Sequence, residues 1–295
     1  MASQQDIRRR IRSVKSTHKI TKAMELVAAA KLRRAQVQIE RMRPYADRML
    51  ELIVGTAQAV GGPLPGLPLL ATRELKRVAL LPLTSDRGLA GAFNAQVLRR
   101  AFALERSLEA QKIEVKWLVS GRKGRSTLTF RKRELVTSWT GFSDHPTYLD
   151  AQAISRRLTS LYTSADIDGV LLVYNRYVTP IVQRVVEQEV LPLPTSVLQG
   201  SDDRSVTPPA GGIVFYEPEP EEILTRLIPA YLETEVYRAL LESAASEQGA
   251  RMSAMRNASK NADELIELLT LIMNRARQAA ITSEILEVVA GADAL

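Results

Sequence analysis

Two apolar seams, one at each end of the chain, limit what these 295 residues can fold into. Steps of four and three from Ile7 fall on Ile7, Ile11, Val14, His18, Thr21, Glu25, Ala28, Leu32, Ala35, Ile39 and Met42, a heptad seam with a polar stretch in its middle. The same steps from Leu241 fall on Leu241, Ala245, Gln248, Met252, Met255, Ser259, Ala262, Ile266, Leu269, Met273, Ala276 and Ala280. A helix with one apolar seam needs a partner to cover it. Two such helices at opposite ends of one chain most simply cover each other, antiparallel, with the middle of the chain hanging from the pair.

The breakers place the ends of these helices. The first is expected over residues 3–43, with Ser3 as its N-cap candidate and Pro44 ending or kinking it, and a second helical piece over residues 45–60 continues it. Residues 61–68 (GGPLPGLP) then read as a linker and a domain boundary. Residues 199–212 (QGSDDRSVTPPAGG) read as a return linker. After Pro229 no proline occurs, so a single helix is expected over residues 230–290.

Between the linkers the period changes. Residues 77–84 (RVALLPLT), 115–119 (VKWLV) and 169–174 (GVLLVY) are short, nearly continuous apolar runs, as strands covered on both faces require. Helical patterns over residues 92–111, 121–130 and 148–162 separate them. Residues 182–190 alternate loosely, like an added edge strand. The fold class expected is α/β plus a long α-helical coiled coil: a small, mostly parallel sheet with helices on both sides, inserted between the two halves of an antiparallel pair.

Composition narrows the chemistry. The chain has no cysteine, which removes disulfides and thiolate nucleophiles, and its histidines are His18 and His145 alone, too few for an ordinary zinc site. No stretch has the length and apolarity of a membrane span. The net charge of +7 is unevenly placed: residues 1–50 hold 13 Lys and Arg against Asp6, Glu25, Glu40 and Asp47, and the remainder of the chain nets −2. Charge alone fits a solvated helix face as well as a surface for acidic partners, whether nucleic acid, anionic lipid or carboxylate-rich protein.

The most enzyme-like stretch is residues 84–94 (TSDRGLAGAFN), which follows a strand and opens a helix. It lacks GxGxxG and the Gly-Lys-Ser/Thr of a phosphate loop, and reads as a tight turn in which Gly88 and Gly91 allow close packing and Ser85 or Asp86 caps. His145, in a turn-like Ser-Asp-His-Pro stretch, is expected at the surface, and Trp117 and Trp139 in strands of the core. Neither a catalytic triad nor a carboxylate pair stands out, and no cofactor or metal is implied. In residues 20–31 (ITKAMELVAAAK), Ile20, Met24 and Val27 add a second apolar stripe beside the seam, as in a helix enclosed by other protein. The tail, residues 281–295, is mostly apolar as well.

These residues carry a family resemblance. Residues 20–29 (ITKAMELVAA), 85–89 (SDRGL) and 276–284 (ARQAAITSE), closing with Glu287 and Gly291-Ala292, resemble the γ subunits of rotary ATP synthases, in the family's order and over essentially the whole chain. The resemblance implies a central rotor shaft in which residues 1–60 and 213–295 form the coiled coil and residues 70–200 the α/β domain. It implies the α and β subunits as partners, in an alternating ring around the shaft, together with ε, the membrane c-ring and δ within the complex. It implies no nucleic acid, and contact with the membrane only through other subunits. Carried over motif by motif, Met24 faces the β lever region; Arg277, Gln278, Thr282 and Glu284 form a polar catch with β; and Arg251 belongs to the same coupling network. Ile285, Val288 and Val289 sit in an apolar bearing, which Asp293 would loosen, and Phe215 and Tyr216 belong to the foot facing the c-ring and ε. Such a subunit performs no bond chemistry. The cysteine-bearing insertion of chloroplast-type members is absent, and the start does not read as a mitochondrial presequence, so the expectation is a bacterial protein at the cytoplasmic face of the plasma membrane.

Overall fold

The computed structural model describes residues 4–60, 67–71, 73–180, 182–193 and 217–293, and resolves into two compact units. One is formed by residues 1–29 and 251–295, the other by residues 30–250. The terminal helices α1 (Gln4–Val60) and α5 (Pro220–Asp293) contribute to both. Between them lie β1 (Arg77–Pro82), α2 (Phe93–Ala110), β2 (Glu114–Ser120), α3 (Arg122–Phe130), β3 (Leu135–Trp139), α4 (Tyr148–Thr163), β4 (Gly169–Tyr177) and β5 (Gln183–Leu191).

The five strands form one sheet in the order β3-β2-β1-β4-β5, parallel except for β5, which runs antiparallel to β4. Alternation along each strand divides its side chains between two faces. On one face Leu80, Trp117, Val119 and Val173 pack with Val97 and Ala101 of α2 and Leu128 of α3. On the other, Ala79, Leu81, Leu118, Leu172 and Tyr174 join Ile154 and Leu158 of α4. This second core also takes in the inner halves of the terminal helices: Met49, Leu50, Ile53 and Val54 of α1, and Leu224, Ile228, Leu232 and Val236 of α5. A doubly wound sheet covered on both sides is what the apolar runs required. β5 is an edge strand in which half-buried and exposed residues mix and only Val190 and Leu191 are buried, which accounts for the looser alternation there.

Two prolines fail to act as breakers. Pro44 lies inside α1 and Pro229 inside α5, so α1 does not end at residue 43 and α5 begins ten residues before the expected start. An interior proline costs about 3 kcal/mol. Beyond Pro44 the same helix face buries Ala46, Met49, Leu50, Ile53 and Val54, and each large side chain buried contributes about 1.5–3 kcal/mol. Burial therefore outweighs the lost hydrogen bond. The same balance holds at Pro229, which Leu224 and Ile228 precede and Leu232 and Val236 follow. Pro220, by contrast, occupies the first helical position, where a missing N–H loses nothing. The expected N-cap Ser3 and both linkers, apart from Leu67 and Pro68, lie outside the described residues.

Candidate functional site

In the unit formed by the chain ends, α1 and α5 run antiparallel along their predicted seams. Ile7, Ile11 and Ala28 of α1 are buried, as are Met252, Met255 and Ala262 of α5. Between these apolar layers the polar stretch of one seam meets that of the other. Glu25 accepts a hydrogen bond from Arg256 Nε at 3.0 Å, Thr21 and Ser259 share one at 2.7 Å, and His18 Nε2 lies 3.3 Å from Asp263. Lys22 Nζ adds a second contact to Glu25 at 3.1 Å. The hydrogen bonds from Arg256 and Lys22 hold the Glu25 carboxyl below the usual carboxylate range, against the opposing effect of burial. Polar layers of this kind specify register, because a shift by one turn would break all three of these pairings at once.

The outer surface of the same unit combines charge with exposed apolar side chains. Arg8, Arg9, Arg10, Arg12, Lys15, Lys19 and Lys22 all point to solvent. Beside them Ile20, Leu26 and Val27 are 57%, 63% and 57% exposed. Facing pairs 18/263 and 25/256 put Gln4 opposite about residue 277, so among the described residues α5 continues past the start of α1 to Asp293 for roughly 24 Å. Ile281, Ile285 and Leu286 are exposed along it.

Within the α/β unit the Ser85-Asp86-Arg87-Gly88 turn sits at the carboxyl end of β1 and is fully used by structure. Asp86 accepts from the backbone N–H groups of Arg122 at 2.9 Å, Gly141 at 2.8 Å and Ser143 at 3.1 Å, so its carboxylate ties the start of α3 to the loop after β3. The cap therefore serves α3, where the sequence suggested the helix that follows the turn. Thr84 Oγ1 accepts from Gly124 N–H, and Ser85 N–H donates to Asn94 Oδ1. Asp144 reaches Lys31 of α1 at 2.5 Å and Gln248 of α5 at 2.9 Å, a clamp on both long helices that the sequence showed only as a turn carrying the exposed His145. Trp117 is buried and Trp139 half-buried.

The expected site residues are placed as follows. Met24 is half-buried, whereas Arg277, Gln278 and Thr282 are exposed one turn apart on the C-terminal end of α5, with Thr282 Oγ1 donating back to the Gln278 carbonyl at 2.9 Å. Arg251 is only 7% exposed. Ile285 is exposed, and the side chains of Glu284, Val288 and Val289 lie outside the described residues, as do Phe215 and Tyr216. Among the described residues no cluster of His, Asp and Glu could hold a metal ion, and no helix is long and apolar enough to cross a membrane.

The pattern of the ATP synthase family matches residues 3–295. The ATP synthase gamma chain of Rubrobacter xylanophilus is 48% identical over all of this chain and 99% of its own length, and that of Moorella thermoacetica 46% identical over the whole of both. Among solved structures, a chain of the central stalk and c-ring of the Tetrahymena thermophila mitochondrial ATP synthase superposes with a TM-score of 0.60 at 31% identity, covering 81% of this chain and 99% of that one. With paired end helices, an inserted doubly wound sheet and this likeness from end to end, the chain belongs to the ATP synthase gamma-chain family.

Proposed function

We propose that the chain is the central rotor shaft of an ATP synthase, coupling ion flow through a membrane ring to the conformational cycle of catalytic β subunits, reversibly, and holding the α/β ring together. The observation that carries this reading is the exposed apolar belt and tip of the helical pair, Ile20, Leu26, Val27, Ile281, Ile285 and Leu286, beside the basic face of α1. Such a surface is stable in water only when other protein encloses it.

The chain performs no bond chemistry in this role. It acts by touching different conformers of its neighbours differently, the requirement for any transmission between sites. The polar layer from His18 to Glu25, buried at Thr21, Glu25 and Ser259, fixes the register of the two helices, so a torque applied at one end is not lost to sliding. Met24 faces the β lever region; Arg277, Gln278, Thr282 and Glu284 form the polar catch; Arg251, being buried, positions the pair for those contacts. The tail with Ile285, Val288 and Val289 turns in an apolar bearing, and Phe215 and Tyr216 belong to the foot on the c-ring and ε. The shaft works at the cytoplasmic face of a bacterial plasma membrane, attached through other subunits. The coiled coil comprises residues 1–60 and 213–295 and the α/β domain residues 70–200.

The test is assembly. Mixed with cognate α and β subunits, the chain should yield a complex with several β per copy and an ATPase activity that the chain alone lacks; failure to assemble would overturn the reading. Replacing Arg277 and Gln278 together by Ala should weaken assembly or coupling with the α/β domain still folded, and unchanged synthesis and pumping would remove both from the catch.

A further inference from the structure

The stretch from the end of β2 to the start of β3 carries a charge pattern that the rotor reading does not use. Residues 121–133 (GRKGRSTLTFRKR) contain Arg122, Lys123, Arg125, Arg131, Lys132 and Arg133 and no carboxylate. Because everything beyond residue 50 nets −2, this block is invisible in the total charge. Folding adds to it: α3 lies beside α2, and between them runs a groove of about 800 Å³ lined by Arg99 and Arg106 of α2 and by Lys123, Arg131 and Arg133. Of these cations only Arg133 has a carboxylate partner among the described residues, Glu105 at 2.9 Å.

The groove is a built feature. Glu105, 3% exposed, accepts Trp117 Nε1–H at 2.9 Å as well as Arg133, and the Arg131 guanidinium lies 4.4 Å over the Phe102 ring. Ser126 and Thr127 add hydroxyls to its wall. Phe130, 87% exposed, follows them by one helical turn and so shares their face of α3. From Asn94 to Arg106 the groove follows α2 for about 18 Å, the reach of roughly five or six residues of extended chain.

We propose that this groove is a docking site for an extended acidic segment of a partner protein, its carboxylates on Arg99, Lys123 and Arg131 and an apolar side chain against Phe130. Charge complementarity selects an anion, and three observations select a polypeptide. The backbone N–H groups at the start of α3, which would clamp a phosphate, are taken by Asp86, Ser85 and Thr84, and the Asp86 carboxylate stands among them. The cations line a concavity, which a flat lipid surface meets poorly. Single-stranded nucleic acid is held by stacking on several open rings, and in this groove Phe102 is covered by Arg131 and Phe130 alone is open.

The test uses the full chain and a fluorescein-labelled hexaglutamate peptide with a central leucine, followed by anisotropy at low and moderate salt. Arg99→Glu/Lys123→Glu/Arg131→Glu should weaken binding at least tenfold. The triple Arg99→Gln/Lys123→Gln/Arg131→Gln, which introduces no new charge and serves if the reversal unfolds the domain, should weaken it several-fold. Arg8→Glu/Arg9→Glu/Arg12→Glu, on the other basic surface, should change it less than twofold. Loss confined to this last variant, or unchanged binding in both groove variants, overturns the proposal. So does tighter groove-dependent binding of phosphatidylglycerol vesicles, oligo(dT) or inorganic triphosphate than of the peptide. No other subunit takes part, so failure here is distinct from failure of the rotor reading.

Discussion

Removing the Glu25 carboxylate should loosen the helical pair by an amount that can be worked out from its surroundings. Glu25 keeps 8% of its side chain accessible, while its partners Arg256 and Lys22 keep 59% and 55%. In Glu25→Ala both cations can turn into water, so no buried charge is left unpaired and the large penalty for breaking a buried ion pair does not apply. Two unit charges 4 Å apart attract by about 1 kcal/mol in water and about 4 kcal/mol at a protein surface. Although neighbouring side chains shield Glu25, only two helices surround it, which puts the interaction near the water limit. Ordering of long side chains takes back part of the gain, leaving about 0.5–1 kcal/mol per partner. Glu25→Ala should therefore destabilise the pair by about 1–2 kcal/mol at pH 7, a factor of about 5–30 in local opening.

The pH dependence supplies the sign. The folded Glu25 carboxyl titrates below its ordinary value, so its contribution is fully present above the unfolded value of about 4.3 and disappears as the pH falls through the lowered folded one. Hydrogen exchange read by mass spectrometry over residues 18–29 and 252–263 should show the 5–30-fold faster opening at pH 7, less of it in 1 M salt, and progressively less as the pH is lowered below about 4. With Arg256→Ala, a double-mutant cycle should give a coupling of about 0.5–1 kcal/mol. A destabilisation of equal size across this pH range, or a coupling of zero, would refute the reasoning.

Gly124→Ala should destabilise the α/β unit by about 1–3 kcal/mol in thermal melts, because the new Cβ would lie 2.6 Å from Thr84 Oγ1 and 2.7 Å from Val119 Cγ2; an unchanged Tm would mean that α3 shifts freely against Thr84 and β2. Leu26→Ser with Val27→Ser should leave the melting of the isolated chain within about 0.5 kcal/mol and weaken co-assembly with α and β subunits, and intact co-assembly would remove the belt from the interface. Burial raises the Glu242 carboxyl above the usual range in spite of Arg238 and Arg176, so its charged form opposes folding, and its contribution is present below the unfolded value and lost as pH rises through the folded one. Glu242→Gln should then gain stability relative to the parent between pH 4 and pH 8, as followed by denaturant midpoints; a relative loss with rising pH would contradict this assignment.

Much of this protein is written in periodicity. The seams from Ile7 and Leu241 name the positions that fold inward, and the apolar runs around Leu80 and Leu172 announce strands covered on both faces, because burial in regular elements repeats with the geometry of the backbone itself. Short motifs carried the family resemblance, at residues 20–29 and 276–284. The strand β3 was legible only at Trp139: LVTSW is half-buried, and its pairing depends on β2 lying alongside. Pro44 and Pro229 misled for the opposite reason, since a local penalty of about 3 kcal/mol is decided by side chains buried on both sides of it. Only the tertiary structure could match Glu25 with Arg256 across 231 positions, aim Asp86 at three separate backbone amides, or bring Arg99, Arg106, Lys123, Arg131 and Arg133 into one groove. Period and propensity act over a few residues, so sequence shows which face of an element is covered; which charge meets which depends on register between distant segments, and that exists only once they have packed.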